Sequence, residues 1–91
     1  MMPLKHILEH AQKMRVIDIE EIAGLLEYHN RSITVHNDFS SDCGDRWSCR
    51  LCDKTHKSED IFSHAPSLRT TVLNALEELE KLETLEKLVV R

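Results

Sequence analysis

The sequence predicts a mainly α domain, in which an N-terminal helical hairpin and a long C-terminal amphipathic helix flank a zinc-stapled loop. Apolar residues recur at helical spacing near both ends of the 91-residue chain. The three cysteines fall together in "CGDRWSCRLC". A chain this short buries only about 60 to 65 % of its unfolded surface, so a metal would add useful stability. We expect one domain, with a hairpin over 1–31, a zinc-binding region over 32–64 and a helix over 65–91.

Two short helices are predicted before residue 31. The first carries one apolar stripe formed by Leu4, Ile7, Leu8 and Ala11. The second begins at Asp18, an N-cap residue with Glu21 three positions later, and its stripe is Ile19, Ile22, Ala23 and Leu26. Because the connection between them is short, we expect the two helices to pack as an antiparallel hairpin.

The segment "SITVH", residues 32–36, predicts a short strand because it alternates and is β-branched. Such a strand needs a partner, which the "RWSC" or the "DIFSH" segment would supply. The middle of the chain therefore predicts a small β-hairpin beside the cysteines.

The third helix is predicted to start around residues 64–67, with Pro66 in its first turn. One apolar stripe comprises Leu68, Val72, Ala75, Leu76, Leu79 and Leu82, while the leucines that project away from it are Leu73, Leu85 and Leu88. Either these three are ordinary, partly exposed leucines, or they form a surface for a protein partner, including a homodimer through this helix. A break near Thr84 is a third alternative.

The cysteines predict one structural Zn²⁺ per chain. Cys49 and Cys52 form a C-x-x-C pair, whose thiolates converge on one ion when the pair lies in a tight turn. Cys43 and His64 complete our first choice of ligands. His36 is an alternative to Cys43, and His56 is an alternative to His64. Trp47 and Phe62, on either side of the pair, are expected to form an apolar cap over the thiolates.

The odd number of cysteines argues against a disulfide framework. No continuous apolar run in the N-terminal "MMPLKHILEHAQKM" predicts a signal peptide or a membrane span. We therefore expect a cytoplasmic protein that does not contact membranes and whose thiols are metal ligands rather than disulfides.

The chain carries no recognisable catalytic motif, so we expect no enzyme activity. The sequences H-E-x-x-H and H-x-E with P-C-x-x-C are both absent. With only Gly24 and Gly44, the chain also lacks a glycine-rich phosphate loop. The net charge of −4 disfavours non-specific nucleic-acid binding.

The run "HNDFSSDCGDRWSCRLCDKTHKSEDIFSHAPSLRTTVLNAL" resembles small zinc-binding proteins of actinobacteria and their phages, most without an assigned function. The shared pattern falls on His36, Trp47, Cys49, Cys52 and His64. This chain differs in having two residues between the close cysteines, in lacking a glycine after the second, and in adding Cys43. The resemblance favours His36 as a ligand over Cys43, and both stay open.

We therefore predict a zinc-stabilised binding or adaptor protein that acts through protein contact. The resemblance implies a phage-encoded inhibitor or regulator of a host protein or nucleoprotein complex, in the host cytoplasm. The alternative is a zinc-finger-type regulator that binds nucleic acid. In that alternative Trp47 stacks on bases, and the phosphates are bound by Arg46, Arg50, Lys54 and Lys57.

Overall fold

The computed structural model describes residues 2–38, 44 and 46–89, with the backbone alone for residues 86–89. Within these residues the elements are α1 (Leu4–Lys13), α2 (Ile19–Glu27), β1 (Arg31–Asn37), β2 (Trp47–Asp53), β3 (Ile61–Ala65) and α3 (Leu68–Val89). The strands form one antiparallel sheet in the order β1-β2-β3. The fold is mixed α and β, so the prediction of a mainly α chain with a zinc-stapled loop is wrong.

The error lies in the segment between β1 and α3. The strand predicted at 32–36 lies within β1, and it pairs with β2. The "DIFSH" segment contributes β3, so both candidate partners are strands of one sheet. The residues around "CRLC" form the central strand rather than a turn, because an extended backbone buries Cys49 and Leu51 and pairs with a neighbour on each side.

The two N-terminal helices form as predicted but do not make a separate hairpin. Asp18 accepts a hydrogen bond on Oδ1 from the backbone N–H of Glu21 at 3.0 Å, which confirms the N-cap. The helix α1 packs mainly against α3, whereas α2 packs against β1. Contact between the two helices includes the pair His10 Nε2 and Glu21 Oε1 at 2.8 Å. Their apolar stripes therefore pack into one core that the whole domain shares.

The helix α3 is continuous past Thr84, whose hydroxyl donates to the carbonyl of Glu80 at 2.9 Å. Its start differs from the prediction, since the helix begins at Leu68 and His64 lies in β3. The hydroxyl of Ser67 accepts a hydrogen bond from the Thr70 N–H at 3.1 Å and so caps the first turn. The described side chains of the predicted stripe are confirmed as the packed side of the helix, with Val72, Ala75, Leu76 and Leu79 buried.

All the helices contribute to one core against the inner face of the sheet. Its buried members are Leu4, Ile7, Ala11, Ile22, Leu26, Cys49, Leu51, Val72, Ala75, Leu76 and Leu79. On the opposite side of the sheet, alternate residues of each strand are exposed, among them Thr34, His36, Arg50, Phe62 and His64. We call this opposite side the outer face.

A buried polar network fixes the end of the sheet where β2 turns into β3. The carboxylate of Asp53 accepts hydrogen bonds from the backbone and hydroxyl of Thr55, the backbone of Lys57, and the backbone and hydroxyl of Ser58, at 2.7–3.1 Å. Arg31, directly opposite Asp53 in β1, donates to the Ser58 hydroxyl at 2.7 Å and to the Glu59 carbonyl at 3.0 Å. The turn is therefore held to both β1 and β2 before β3 begins.

Within the described residues, no helix is long and apolar enough to span a membrane.

The Asp53 carboxylate makes stability depend on acid pH. Hydrogen bonds, chiefly from Thr55, hold the pKa of Asp53 well below its ordinary value. A lowered pKa in the folded state stabilises the protein above the unfolded-state pKa of about 4, and this contribution is lost as the pH falls. We expect the midpoint of thermal unfolding to fall between pH 5 and pH 2, as measured by circular dichroism.

Asp53→Asn should unfold at a lower temperature than the wild type at pH 7 and should show a smaller fall in acid. Asp18→Asn is the matched control, because asparagine caps a helix as well as aspartate does. An Asp53→Asn variant with wild-type stability at pH 7 would contradict the role given to this carboxylate.

Candidate functional site

The C-x-x-C pair does not bring its two thiols together. Side chains three residues apart on a strand lie on opposite faces of the sheet. Cys49 lies on the inner face and is 1 % exposed, whereas Cys52 lies on the outer face and is half-buried. The two sulfur atoms therefore cannot converge on one ion as they would in a tight turn.

Cys49 has the surroundings of a core residue. It belongs to the apolar cluster that also contains Leu51 and Leu76. Burial raises the pKa of the Cys49 thiol to about 12. Because zinc binds the thiolate, these surroundings disfavour Cys49 as a ligand.

The three histidines predicted as ligands lie in separate places. Cys43 is outside the described residues. His36 and His64 are on the outer face, each opposite Ser48 in the neighbouring strand, so their backbones lie two strand spacings apart, roughly 10 Å. His56, with a φ of 56°, lies in the turn at the far end of β2. No group of three or more His, Cys, Asp or Glu in the described chain is arranged to hold a metal ion. The described residues therefore do not form the predicted site.

The side chains proposed to bind nucleic acid are spread along the whole length of β2 and into the turn that follows it. Arg46 and Lys54 flank the two ends of β2, eight residues and roughly 26 Å apart along an extended strand. Lys57 lies in the β2–β3 turn, and Arg50 is at the middle of β2. Trp47 is half-buried on the same face as Cys49, which leaves it poorly placed to stack on bases.

The three leucines proposed for partner binding also differ in position. Leu73 is partly buried and packs against the core, whereas Leu85 is 59 % exposed. The side chain of Leu88 lies outside the described part of the structure. Of this predicted surface, only Leu85 is an exposed side chain among the described residues.

The structure instead assembles a group of side chains on the outer face. Its members are Ser32, Thr34, His36, Ser48, Arg50, Cys52, Phe62 and His64. The strand register arranges them in rows across the sheet, with Arg50 between Thr34 and Phe62 in one row. Within this row the guanidinium of Arg50 lies over the ring of Phe62.

Arg50 links Phe62 to Asp60. Its Nε donates to Oδ2 of Asp60 at 3.0 Å, and its Nη2 donates to the same oxygen. The guanidinium carbon lies 5.3 Å from the centre of the Phe62 ring, a cation–π distance. Phe62 remains 62 % exposed. The guanidinium is thus held in place beside an aromatic ring that is still open to solvent.

The ion pair leaves this row without net charge. The hydrogen bond from Arg50 lowers the pKa of Asp60, and the same bond raises the pKa of Arg50. Both groups are therefore charged at neutral pH, and the two charges cancel. The outer face is aromatic and hydrogen-bonding rather than basic.

The sequence interpretation missed this use of Phe62, which it placed in an apolar cap over zinc-bound thiolates. The alternation in "IFSHA" is the signal that places it, because Ser63 and Ala65 are buried and Phe62 and His64 are exposed. Only the pairing with β2 reveals that Phe62 lies opposite Arg50.

Comparison of the chain with protein-family models, curated proteins and solved structures finds no match. The resemblance to small zinc-binding proteins therefore stays a prediction. Of the residues that carry it, Trp47 and Cys49 lie on the inner face, while His36, Cys52 and His64 lie on the outer face.

Substitution of the cysteines distinguishes a core residue from a zinc ligand. We expect Cys49→Ala to cost about 1 kcal/mol, as for one deleted core methyl group. Cys49→Ser should cost more, because an unpartnered buried hydroxyl costs about 1–3 kcal/mol. Cys52→Ser should change the free energy of unfolding by less than about 0.5 kcal/mol. The measurement is urea unfolding with and without EDTA, and EDTA should have no effect.

A different pair of results would identify both cysteines as zinc ligands. If EDTA lowers stability, and if Cys49→Ala and Cys52→Ser each release one zinc ion per chain, both cysteines are ligands and the core assignment of Cys49 fails.

Proposed function

We propose that this protein is a non-catalytic binding protein and that the outer face contacts a protein partner. The observation that carries the proposal is the pairing of Arg50 with the exposed ring of Phe62, on a side of the sheet opposite the helices. The proposal keeps protein contact as the function predicted from the sequence, and it moves the contact from α3 to the sheet.

The Arg50 and Phe62 pair has the properties of a binding hot spot. Arginine and large aromatic residues are among the side chains that contribute most when buried at interfaces. Association would remove the exposed part of the Phe62 ring from water. The two hydrogen bonds to Asp60 already hold the guanidinium, so less conformational entropy is lost when a partner binds.

The charges of the outer face favour a protein over a nucleic acid. Binding to phosphates depends on several uncompensated cations. Here Arg50 is neutralised by Asp60, and the chain as a whole carries −4. The partner that fits is a protein surface of low net charge. It would carry an apolar side chain that packs on Phe62, and polar groups that hydrogen-bond to the surrounding hydroxyls and imidazoles.

The positions of two cavities support binding rather than catalysis at the Arg50 and Phe62 pair. Ligand and active sites are usually concave and enclose most of a small molecule. Cavities of about 300 and 330 Å³ lie beside the start of α1 and beside the β2–β3 turn, and neither is lined by Arg50 or Phe62. A cytoplasmic location agrees with Cys49 and Cys52 being unpaired.

Site-specific photo-crosslinking tests the proposal. Phe62 is replaced by benzoylphenylalanine in the full chain, and Tyr28, which is 66 % exposed on the helical side, is replaced in the matched control. Crosslinks are formed in the cells from which the protein comes. We expect one polypeptide to be captured from position 62 and not from position 28.

That polypeptide is then purified and its affinity measured by calorimetry. Phe62→Ala and Arg50→Ala should each weaken binding at least about tenfold, whereas Tyr28→Ala should not. Unchanged affinity in both outer-face variants would refute the proposal. So would binding of a single-stranded oligonucleotide that weakens with salt and is lost in Phe62→Ala, since that result assigns the face to nucleic acid.

A further inference from the structure

The strand β1 is at an edge of the sheet. Its hydrogen bonds to β2 show which of its residues direct their backbone groups outward. The β1–β2 ladder continues beyond β1 at both ends, where Lys54 N–H donates to the Asn30 carbonyl and Asp38 N–H donates to the Arg46 carbonyl. In an antiparallel ladder, such bonded residues alternate with residues that face away from the partner strand. The even-numbered residues of β1 are therefore bonded to β2, and the odd-numbered residues direct their backbone N–H and C=O groups away from the sheet.

Ile33 and Val35 are at the centre of this outward row. By this alternation the backbone N–H and C=O groups of Ile33 and Val35 point away from β2. Both side chains face the core but are only partly buried, whereas Cys49 and Leu51 in the neighbouring strand are 1 % and 0 % exposed. Among the described residues, β1 is therefore an edge strand whose outward backbone groups and partly buried apolar side chains are not paired with a further strand.

Natural edge strands usually carry features that prevent pairing, such as proline, lysine, a bulge or very short length. From Ser32 to Asn37, β1 contains no proline and no Lys, Arg, Asp or Glu, and it pairs without a bulge over seven residues. At the other edge, β3 is five residues long, with Ser63 and Ala65 buried. Of the two edges, β1 is the one suited to accept another strand.

We propose that β1 pairs antiparallel with β1 of a second copy of this chain, so that two sheets join into one. The register that overlaps all seven residues places Thr34 opposite Thr34 of the second copy. In this register Ile33 exchanges backbone hydrogen bonds with Val35 of the other copy. These are the residues whose backbone groups point away from β2. This inference concerns the edge of the sheet and does not depend on the proposed function of the outer face.

The strand is complementary to itself in this register. On the inner face, Ile33 meets Val35 of the second copy, which extends the apolar row of each core. On the outer face, Ser32 lies opposite His36 of the second copy on each side of the paired Thr34 residues. Arg31 meets Asn37, so no two like charges are brought together. A twofold arrangement of this kind closes after two copies and leaves no further β1 edge.

Charged substitutions at Thr34, which lies on the proposed twofold axis, test the pairing. Thr34 is exposed, so replacing it does not disturb the core. Sedimentation equilibrium should show the wild type at twice the chain mass of 10.6 kDa. Thr34→Lys and Thr34→Glu should each place like charges opposite one another and weaken the dimer at least about tenfold. An equimolar mixture of the two variants should restore a dimer that contains one of each.

His64→Lys is the matched control, because it adds a charge to the exposed outer face on the strand farthest from β1. It should remain dimeric, and circular dichroism should show that all the variants stay folded. A wild type that is monomeric at the highest soluble concentration would overturn the proposal. It would also be overturned if Leu85→Glu, and not the Thr34 variants, dissociated the dimer, since that result assigns the interface to α3.

Discussion

The alternation of side chains along β2 determines both faces of this protein. Because β2 lies between two antiparallel neighbours, its backbone must stay extended, and successive side chains must fall on opposite sides. Cys49 and Leu51 therefore enter the core, while Arg50 and Cys52 reach the outer face. One geometric constraint thus supplies the apolar surface that the helices cover, separates the two thiols, and places the guanidinium of Arg50 over the exposed ring of Phe62.

The polar network at the end of β2 sets where the next strand begins. Asp53 uses both carboxylate oxygens within the turn, and Arg31 holds the turn from β1. A turn anchored on two strands leaves little freedom in the register of β3. A shift of one residue would turn Phe62 into the core and leave Ser63 on the outer face. The pairing of Arg50 with Phe62 therefore depends on buried groups that do not themselves touch the outer face.

The local signals in the sequence predicted the helices better than the sheet. The apolar stripes and the Asp18 cap are properties of neighbouring residues, and both are confirmed. The strand at 32–36 was predicted from its β-branched alternation, but β2 and β3 were not predicted as a sheet. The spacing of Cys49 and Cys52 is equally compatible with a metal-binding turn and with a strand. Only pairing with residues distant in sequence decides between them, and that information is not present in the spacing.

The two proposed surfaces have a geometric consequence when they are combined. In a sheet joined through β1, each β3 lies at an outer edge, so the two Phe62 residues are separated by five strand spacings, or roughly 24 Å. The outer faces become one continuous surface with twofold symmetry. A small partner domain would then cover one Arg50 and Phe62 pair, and two such domains could bind without overlapping at the symmetry axis. Because neither β3 nor its turn takes part in the β1 pairing, binding at the outer face does not require the dimer, although the dimer would raise the avidity for a partner that is itself dimeric.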